Sequence, residues 1–216
     1  MTPETLPADP PPWQIHLVDD DAAFRRSLVF LLESMGWDVV DHASAADYLT
    51  HGLIHLDHTG CLLLDVRMPG MSGLELQQTL LSREIHLPIV FLTGHGDVEL
   101  AVQAMKNGAF DFLEKPFKDQ RLLDIVSAAL RQREAERAVQ ARSQQAGERL
   151  ARLSPREEEV ARLVARGLPN KLVARELGIS EKTVHIHRQH VMEKAEVGSA
   201  AELARLMLAN DPTALD

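Results

Sequence analysis

The stretch that most constrains the fold of this chain runs from Cys61 to Gly73 and reads CLLLDVRMPGMSG. An apolar run ends abruptly at Asp65, and a loop rich in proline and glycine follows at once. A fully buried strand of a parallel sheet has this pattern, because helices cover both faces of such a sheet. Ligands of open α/β sheets bind at the carboxyl ends of the strands. The stretch therefore predicts a buried strand that delivers the Asp65 carboxylate to a binding edge.

Four other short apolar runs alternate with segments of helical periodicity. The predicted strands are 14–18, 37–40, 61–65, 88–92 and 110–114, and the predicted helices are 22–34, 44–49, 72–82, 97–107 and a long one from 118. Asp21, Ser44 and Asp97 are suited to cap three of these helices, and residues 51–60 are predicted as a loop. Repeated strand–helix units with right-handed crossovers build a parallel sheet that is covered on both faces. We therefore expect a flavodoxin-like α/β domain with a five-stranded parallel sheet of order 2-1-3-4-5.

Polar side chains follow four of the predicted strands. Asp19 and Asp20 follow the first strand, Asp65 ends the third, Thr93 follows the fourth and Lys115 follows the fifth. A sheet of that order has its switch point between the first and third strands, which places the three carboxylates side by side. A hard divalent cation such as Mg²⁺ relieves their repulsion. With a hydroxyl and an ammonium at the same edge, the set predicts a site that holds a phosphoryl group on Asp65.

The last third of the chain has a different character. Residues 131–152 are rich in Gln, Arg, Glu and Ala, which indicates a solvated connecting helix; a dimerising coiled coil is the alternative, although no sustained heptad supports it. Four short helices are predicted at 155–166, 172–177, 181–195 and 199–208, and Ser154 before Pro155 is a strong helix start. A Gly-Ile-Ser turn separates the second of these helices from the third, which is the spacing of a helix-turn-helix.

The charge distribution separates the same two parts of the chain. The formal net charge is −9; residues 1–147 carry 12 basic and 21 acidic side chains, whereas residues 148–216 carry 11 of each. The acidic total therefore does not exclude DNA as a partner of the last third. The expected organisation is a disordered lead (1–13), an α/β domain (14–130), a helical linker (131–152), an all-α domain (153–209) and a tail (210–216).

The amino-terminal residues and the single cysteine bear on the cellular compartment. The first residues have neither the basic region nor the apolar region of a signal peptide. No apolar run approaches the roughly 20 residues that span a bilayer. One cysteine, Cys61, cannot form an internal disulfide, which suits a reducing compartment. Together these features predict a cytoplasmic protein.

Both predicted domains resemble known families. Residues 14–130 resemble the receiver domain of two-component response regulators, and residues 153–208 resemble the LuxR-type helix-turn-helix domain. Together they resemble the NarL/FixJ subfamily, and the stretch TGHGDVELAVQAMKNGAFDFLEKPF favours its FixJ-like branch. The resemblance implies a phosphorylation-dependent transcription regulator that is not an enzyme beyond its own phosphoryl transfer and dephosphorylation. Its implied partners are a sensor histidine kinase, promoter DNA and, when phosphorylated, a second copy of the chain, with RNA polymerase a further candidate.

The resemblance also implies a role for each residue at the acidic edge. Asp65 would accept a phosphoryl group from the phosphohistidine of the kinase. Asp19, Asp20, Asp65 and the backbone carbonyl of Arg67 would hold Mg²⁺.

Residues of the fourth and fifth strands complete this implied site. Thr93 and Lys115 would bind phosphoryl oxygens. Phe112 matches the switch aromatic of the family, which turns inward when Thr93 moves towards the phosphate. Pro116 stands at the position where the family has a cis peptide bond.

The implied recognition helix is Glu181–Ala195. Its side chains aimed at DNA would be Lys182, Thr183, His185, Arg188 and Gln189, with phosphate contacts from Asn170 and Lys171. The sequence leaves open whether Val184, Ile186, His187, Val191 and Met192 face the groove or the core. Ala195 and Gly198 depart from the family, which has an aliphatic and a basic residue there. The neutral charge of this domain suggests that specific binding needs a dimer on a two-fold site.

The sequence disfavours three alternative interpretations. The Asp, Thr and Lys set also occurs in haloacid-dehalogenase-type phosphatases, but their DxDxT motif follows the first strand, where this chain reads DDDAA. A receiver that acts without phosphorylation is disfavoured by the complete acidic set. Zinc binding is disfavoured for two groups of histidines, His185, His187 and His190, and His51, His55 and His58, which are interpreted as surface residues.

Overall fold

The computed structural model describes residues 13–54, 59–94 and 98–215. The chain divides between Ala135 and Glu136 into two compact units. The first unit contains β1 (Gln14–Val18), α1 (Ala22–Glu33), β2 (Asp38–His42), α2 (Ala45–His51), β3 (Thr59–Asp65), α3 (Gly73–Ser82), β4 (Ile89–Thr93), α4 (Val98–Lys106) and β5 (Asp111–Glu114). Helix α5 (Asp119–Leu150) begins in the first unit and ends in the second.

The strands of the first unit form one parallel sheet of order β2-β1-β3-β4-β5, as predicted. Every residue of β3 is buried. Cys61 and Leu63 pack into one apolar cluster, whereas Leu62 and Leu64 pack into another. Because successive side chains of a strand point to opposite faces, the two clusters cover the two faces of the sheet. Burial on both faces explains why this strand is apolar throughout.

Several predicted boundaries in the first unit are wrong by one or two residues. Strand β3 begins at Thr59 rather than at Cys61, and α2 continues to His51, so residues 51–60 are not a loop throughout. Thr59 pairs with Gln14 of β1, and this contact between distant residues leaves no local pattern. Strands β2, β4 and β5 each begin one residue later than predicted. The predicted cap Asp97 lies outside the described residues.

Two predicted helix caps of the first unit are confirmed. The Asp21 carboxylate accepts hydrogen bonds from the backbone N–H groups of Phe24 and Ala23, and these bonds lower the pKa of Asp21. The Ser44 hydroxyl accepts a hydrogen bond from the backbone N–H of Asp47. Each cap satisfies backbone donors that have no partner within the helix.

The second unit is helical. It contains the end of α5, followed by α6 (Pro155–Ala165), α7 (Asn170–Leu177), α8 (Glu181–Ala195) and α9 (Ala200–Asn210). Its fully buried core includes Val160, Val173, Val184, Val191 and Leu203. Helix α6 begins with the predicted cap, because Ser154 and Glu157 form a capping box. Between α7 and α8, Gly178 adopts a φ of 67°, a left-handed conformation that glycine tolerates best.

The predicted polar linker lies mostly within α5. Residues 136–142 are all exposed, and the side chain of Val139 is 64% exposed. Such exposure is expected of a connecting helix that is surrounded by water. None of the helices in the described residues is long and apolar enough to cross a membrane.

Two histidines face each other inside the first unit. His16 of β1 and His42 of β2 are each 2% exposed, and His16 Nδ1 lies 2.9 Å from His42 Nε2. Tyr48 of α2 packs edge-on against both rings. One of the two facing nitrogens must donate and the other accept, so at least one ring is neutral. Burial lowers the pKa of His42, and the opposing attraction of Asp47 does not reverse this shift.

We expect the first unit to lose stability as the pH falls from about 7.5 to about 5.5, across the ordinary histidine pKa. The pKa of His42 is depressed in the folded state, so the unfolded chain binds more protons than the folded chain in this range. The contribution of His42 to the free energy of unfolding is therefore complete above the ordinary histidine pKa and is lost below it. The size of the loss follows the size of the pKa depression, because each pKa unit corresponds to about 1.4 kcal/mol. Urea unfolding followed by the fluorescence of Trp13 and Trp37 measures it.

The matched variants for this experiment are His42→Gln and His51→Gln. The charged groups that act on His42 are Asp47, Asp41 and His51. His42→Gln should flatten the pH dependence of the stability. His51→Gln removes an exposed imidazole and should leave most of that pH dependence in place. An unchanged slope in His42→Gln would assign the dependence to another group.

Candidate functional site

The carboxyl ends of the strands bring two carboxylates and an ammonium together. Asp19 directly follows β1 and is 1% exposed, and Asp65 ends β3 and is 8% exposed. Since β1 and β3 are neighbours, both acids lie at the same edge of the sheet. Lys115 follows β5, and its Nζ lies 2.6 Å from Asp19 Oδ2 and 2.6 Å from Asp65 Oδ1. One cation therefore bridges two nearly buried acids.

The pKa values of this cluster reflect burial and the shared cation. Burial raises the pKa of Asp65; the hydrogen bond from Lys115 opposes this shift, and repulsion from Asp19 adds to it. Burial alone would lower the pKa of Lys115, but the hydrogen bonds to Asp19 and Asp65 and the attraction of their charges together outweigh burial and raise it. Lys115 therefore stays protonated and favours the ionised form of Asp65.

Thr93 is the last residue of β4, close to Lys115, and is 2% exposed. Its backbone carbonyl accepts a hydrogen bond from the backbone N–H of Lys115 at 2.6 Å. This bond fixes the residue after β5 against the end of β4. The structure thus brings Thr93 to the same edge as Asp19, Asp65 and Lys115.

Asp20 does not join the buried cluster, and its side chain is exposed. Across residues 13–54, 59–94 and 98–215, no group of three or more His, Cys, Asp or Glu side chains is placed to hold a metal ion. Two of the three predicted carboxylates, Asp19 and Asp65, share the Lys115 ammonium, whereas Asp20 lies outside this contact, and its part in metal binding stays a prediction. Asp19 and Asp65 still fit Mg²⁺ in ligand type, because both are carboxylates that contact one cation.

The loop after Asp65 is held close to the site by its backbone. The N–H of Arg67 donates to Asp65 Oδ2 at 2.8 Å. The N–H of Gly73 donates to the carbonyl of Val66 at 3.0 Å, which closes the loop. A Cβ atom at position 73 would overlap the carbonyl oxygen of Asp65, so only glycine fits there. The glycine that ends the opening motif is thus required by close approach to the acid.

Helix α8 has a buried side and an accessible side. Val184 and Val191 are fully buried in the core, whereas Ile186 is 45% exposed. His187 and Met192 are partly buried at the boundary. The structure therefore determines the helix phase that the sequence left open.

The five predicted base-contacting residues of α8 fall on or beside its accessible side. Lys182, His185 and Gln189 are exposed, and Thr183 and Arg188 are partly buried. The Thr183 side chain contacts the hydroxyl of its own helix cap, and Gln189 donates to Glu193 one turn later. The set presents hydrogen-bonding groups along one helix, as a groove-reading helix requires.

The two predicted phosphate contacts lie at the start of α7. Asn170 is its first residue, and Lys171 is exposed. Arg188 Nη1 of α8 donates to Asn170 Oδ1 at 3.2 Å. This bond joins one predicted backbone contact to one predicted base contact.

Comparisons with known proteins identify both units. The model described as "Response regulator receiver domain" matches residues 15–127, and "Bacterial regulatory proteins, luxR family" matches residues 151–207. The transcriptional regulatory protein FixJ of Azorhizobium caulinodans is 49% identical over 207 residues, which are 95% of this chain and 93% of that protein.

Solved structures give the same result. The response regulator StyR aligns with a TM-score of 0.81 and 43% identity, covering 89% of this chain and 96% of that one. Full-length FixJ from B. japonicum aligns with a TM-score of 0.58 and 45% identity, covering 92% and 97%. This chain belongs to the FixJ-like response regulators. It is a DNA-binding regulator of transcription and not a member of an enzyme family, which disfavours the phosphatase alternative.

In this response regulator, Phe112 and Thr93 line one surface cavity together with Pro116. Phe112 lies in β5 opposite Phe91 of β4 and is partly buried. The Lys115–Pro116 peptide bond is cis. Phe112 therefore lies beside Thr93, and its role as a switch aromatic stays a prediction.

Two contacts of the response regulator were not predicted from its sequence. The ring centroid of Phe24 lies 4.1 Å from Lys115 Nζ. Glu157 Oε2 lies 2.6 Å from Lys194 Nζ. Both pairs are distant in the sequence, and no local pattern reveals them.

Glu157 is a buried acid that joins two helices of the DNA-binding unit. It is 4% exposed, and its Oε2 also accepts a hydrogen bond from the Ser154 N–H at 2.8 Å. The hydrogen bond from Lys194 and then that from Ser154 lower the pKa of Glu157 to about 2. His190 Nδ1 lies 3.5 Å from the other oxygen.

The structure also gives the positions of Ala195 and Gly198, which depart from the family, and of His51. Ala195 is fully buried, and the N–H of exposed Gly198 donates to Glu202 at 2.9 Å. His51 is exposed and bonds Asp47, whereas residues 55 and 58 lie outside the described residues.

Proposed function

We propose that Asp65 accepts a phosphoryl group from the phosphohistidine of a sensor kinase and that this event controls DNA binding by α8. The observation that carries the proposal is the bridge from Lys115 to Asp65 and Asp19. It combines a carboxylate nucleophile with a cation that can neutralise incoming negative charge. Phosphoryl transfer needs positioning and charge stabilisation more than covalent chemistry from the protein.

In the proposed transfer, an oxygen of Asp65 attacks phosphorus while the P–N bond to the kinase histidine breaks. The histidine nitrogen keeps the electron pair of that bond, and an acyl phosphate forms on Asp65. Lys115 then donates to a phosphoryl oxygen instead of the carboxylate, and the Thr93 hydroxyl donates to another. These donors act where charge develops, in a site that is mostly shielded from water.

The same edge suits Mg²⁺. We propose that Asp19, Asp20, Asp65 and the backbone carbonyl of Arg67 hold the ion, which when bound neutralises charge on the phosphoryl oxygens. Asp19 and Asp65 already contact the Lys115 ammonium, and Asp20 is exposed at the same edge.

The proposed output of phosphorylation is a change at the surface formed by α4 and β5. Thr93 moves towards the phosphoryl group, and Phe112 turns into the space beside it. The new charge is a local electrostatic change that biases a two-state element. Val102 and Met105 of α4 are 48% and 45% exposed, which supplies apolar surface for pairing with a second receiver.

DNA binding is proposed to follow from pairing of the receivers. The DNA-binding residues 148–216 carry equal numbers of acidic and basic side chains, so one copy has little non-specific attraction to phosphate. Two copies on a two-fold site add their contacts, with α8 in each major groove. The base-reading set is Lys182, Thr183, His185, Arg188 and Gln189, and the phosphate set is Asn170 and Lys171.

Beryllofluoride with Mg²⁺ mimics the acyl phosphate and tests this function on the full chain. We expect a shift from monomer to dimer in light scattering. We also expect at least about tenfold tighter binding to a DNA sequence selected with the activated protein, since allosteric coupling is typically about 1–3 kcal/mol. The Asp65→Asn variant is the control and should respond in neither measurement. If neither size nor affinity changes in the wild-type chain, the activation proposal is wrong.

A further inference from the structure

The ammonium of Lys115 has a third contact in addition to the two carboxylates. The ring centroid of Phe24 lies 4.1 Å from Lys115 Nζ. An aromatic face attracts a cation at this distance through its quadrupole. Asp19, Asp65 and the Phe24 ring therefore surround the ammonium group.

Phe24 is itself held from two sides. Its backbone N–H donates to Asp21 Oδ1 at 3.1 Å, and the N–H of Asp21 donates to Asp19 Oδ1 at 2.9 Å. Its ring packs edge-on against Phe117, with centroids 6.0 Å apart. The helix start thus links the position of the ring to one of the site acids, and Phe117 supports it from the β5–α5 connection.

We propose that Phe24 is a positioning residue that holds the Lys115 ammonium at the phosphoryl site, an inference that rests on the proposed function of Lys115. Under the proposed function, Asp65 becomes an acyl phosphate and Asp19 would hold Mg²⁺, so both carboxylate partners of Lys115 change. The aromatic face competes with neither event. It keeps the ammonium at the sheet edge while its hydrogen bonds move to phosphoryl oxygens.

Ordinary apolar packing is the simpler account of Phe24, and the two accounts predict different outcomes. A leucine at position 24 keeps apolar contact with Phe117 but has no π face for the ammonium. A tyrosine keeps the face. If packing alone matters, Leu and Tyr variants behave alike at the site; if Phe24 positions Lys115, only Leu is defective. Phe30 lies on the same helix, is 78% exposed and provides the matched control.

The first experiment reads Lys115 directly in the full chain without Mg²⁺ or a phosphoryl donor. In lysine-labelled protein, the ε-methylene protons of Lys115 should lie upfield of the other lysines because of the ring current of Phe24. Phe24→Leu should abolish this shift, whereas Phe24→Tyr and Phe30→Leu should retain it. If the wild-type Lys115 signal lies at the ordinary lysine position, the contact does not persist in solution and the proposal is overturned. This wild-type measurement stands even if a variant fails to fold.

The second experiment measures phosphorylation by acetyl phosphate with Mg²⁺. We expect Phe24→Leu to lower the maximal rate about two- to fivefold, as loss of a solvent-accessible cation–π contact would. Phe24→Tyr and Phe30→Leu should match the wild-type chain. Wild-type rates in Phe24→Leu, or an equal loss in Phe24→Tyr, would overturn the positioning role while leaving the function of Asp65 intact. Absence of label in the wild-type chain would instead overturn the proposed function, and the resonance of Lys115 would still test the contact.

Discussion

Replacing Asp65 by Asn is expected to abolish phosphoryl incorporation from acetyl phosphate or from a sensor kinase. An amide oxygen is a poor nucleophile, and the acyl phosphate cannot form on it. We expect the rate to fall by at least about 10³-fold, since loss of a covalent nucleophile costs that or more in enzymes where it has been measured. Incorporation of ³²P into the full chain, read on a denaturing gel, provides the measurement.

The structure indicates that this variant will fold. Burial raises the pKa of Asp65, so its ionised form carries a desolvation cost that a neutral amide avoids. Lys115 keeps its hydrogen bond to Asp19. Asp65→Asn should therefore unfold at the same urea concentration as the wild-type chain or at a slightly higher one. A large loss of stability would show that the Lys115 bridge matters more to the fold than burial suggests.

Asp111→Asn is a matched control for Asp65→Asn. Asp111 is the first residue of β5 and lies at the amino end of the strand, away from the site. Its Oδ1 accepts a hydrogen bond from the N–H of Phe112, which an asparagine oxygen can also accept. Phosphorylation should be unchanged in this variant. Retained label in Asp65→Asn would place the acceptor on another residue.

The second large effect is expected from Glu157→Gln in the DNA-binding unit. Glutamine can keep the hydrogen bond from Ser154 but leaves the Lys194 ammonium without its carboxylate. Removal of one partner of a fully buried pair costs about 3–5 kcal/mol. Because the side chain of Lys194 is 41% exposed, water stabilises it in part, and we expect a loss of about 1–2 kcal/mol.

The pH dependence of this unit follows from the same contact. The pKa of Glu157 is lowered to about 2 in the folded state, against an ordinary value of 4.5. The unfolded chain therefore binds more protons between these values, so the contribution is complete above the ordinary pKa and is lost as the pH falls towards the folded one. Glu157→Gln should remove that part of the acid sensitivity.

Hydrogen exchange in α6 and α8 measures the loss, because both tryptophans, Trp13 and Trp37, lie in the first unit. Their fluorescence reports whether the receiver is unchanged. Glu158→Gln is the matched control: Glu158 is an exposed neighbour paired with Arg162, and its loss should cost less than about 0.5 kcal/mol. Equal exchange in both variants would mean that the buried pair contributes no more than a surface pair.

The sequence alone predicted both architectures. Strands buried on both faces must be apolar along their whole length, and helix caps and turn glycines act on neighbouring residues, so these signals are local. They were sufficient to predict the alternating strands and helices, the capping box of Ser154 and the bounds of α8, whereas the sheet order was taken from the known order of this class of fold. They also placed Asp65, Thr93 and Lys115 at the carboxyl edge, because that edge follows from the strand directions.

Only the tertiary structure decided how side chains meet at the two functional surfaces. It separated the buried Asp19 from the exposed Asp20, and it placed the ring of Phe24 over Lys115. In the second unit it paired Glu157 with Lys194 and turned Ile186 outwards. Each outcome depends on the register and rotation of elements that are distant in the chain, and a pattern with a period of two or 3.6 residues carries no information on them. The sequence therefore determined which strands deliver the site, and the packing of those strands and helices determined which side chains surround the cation.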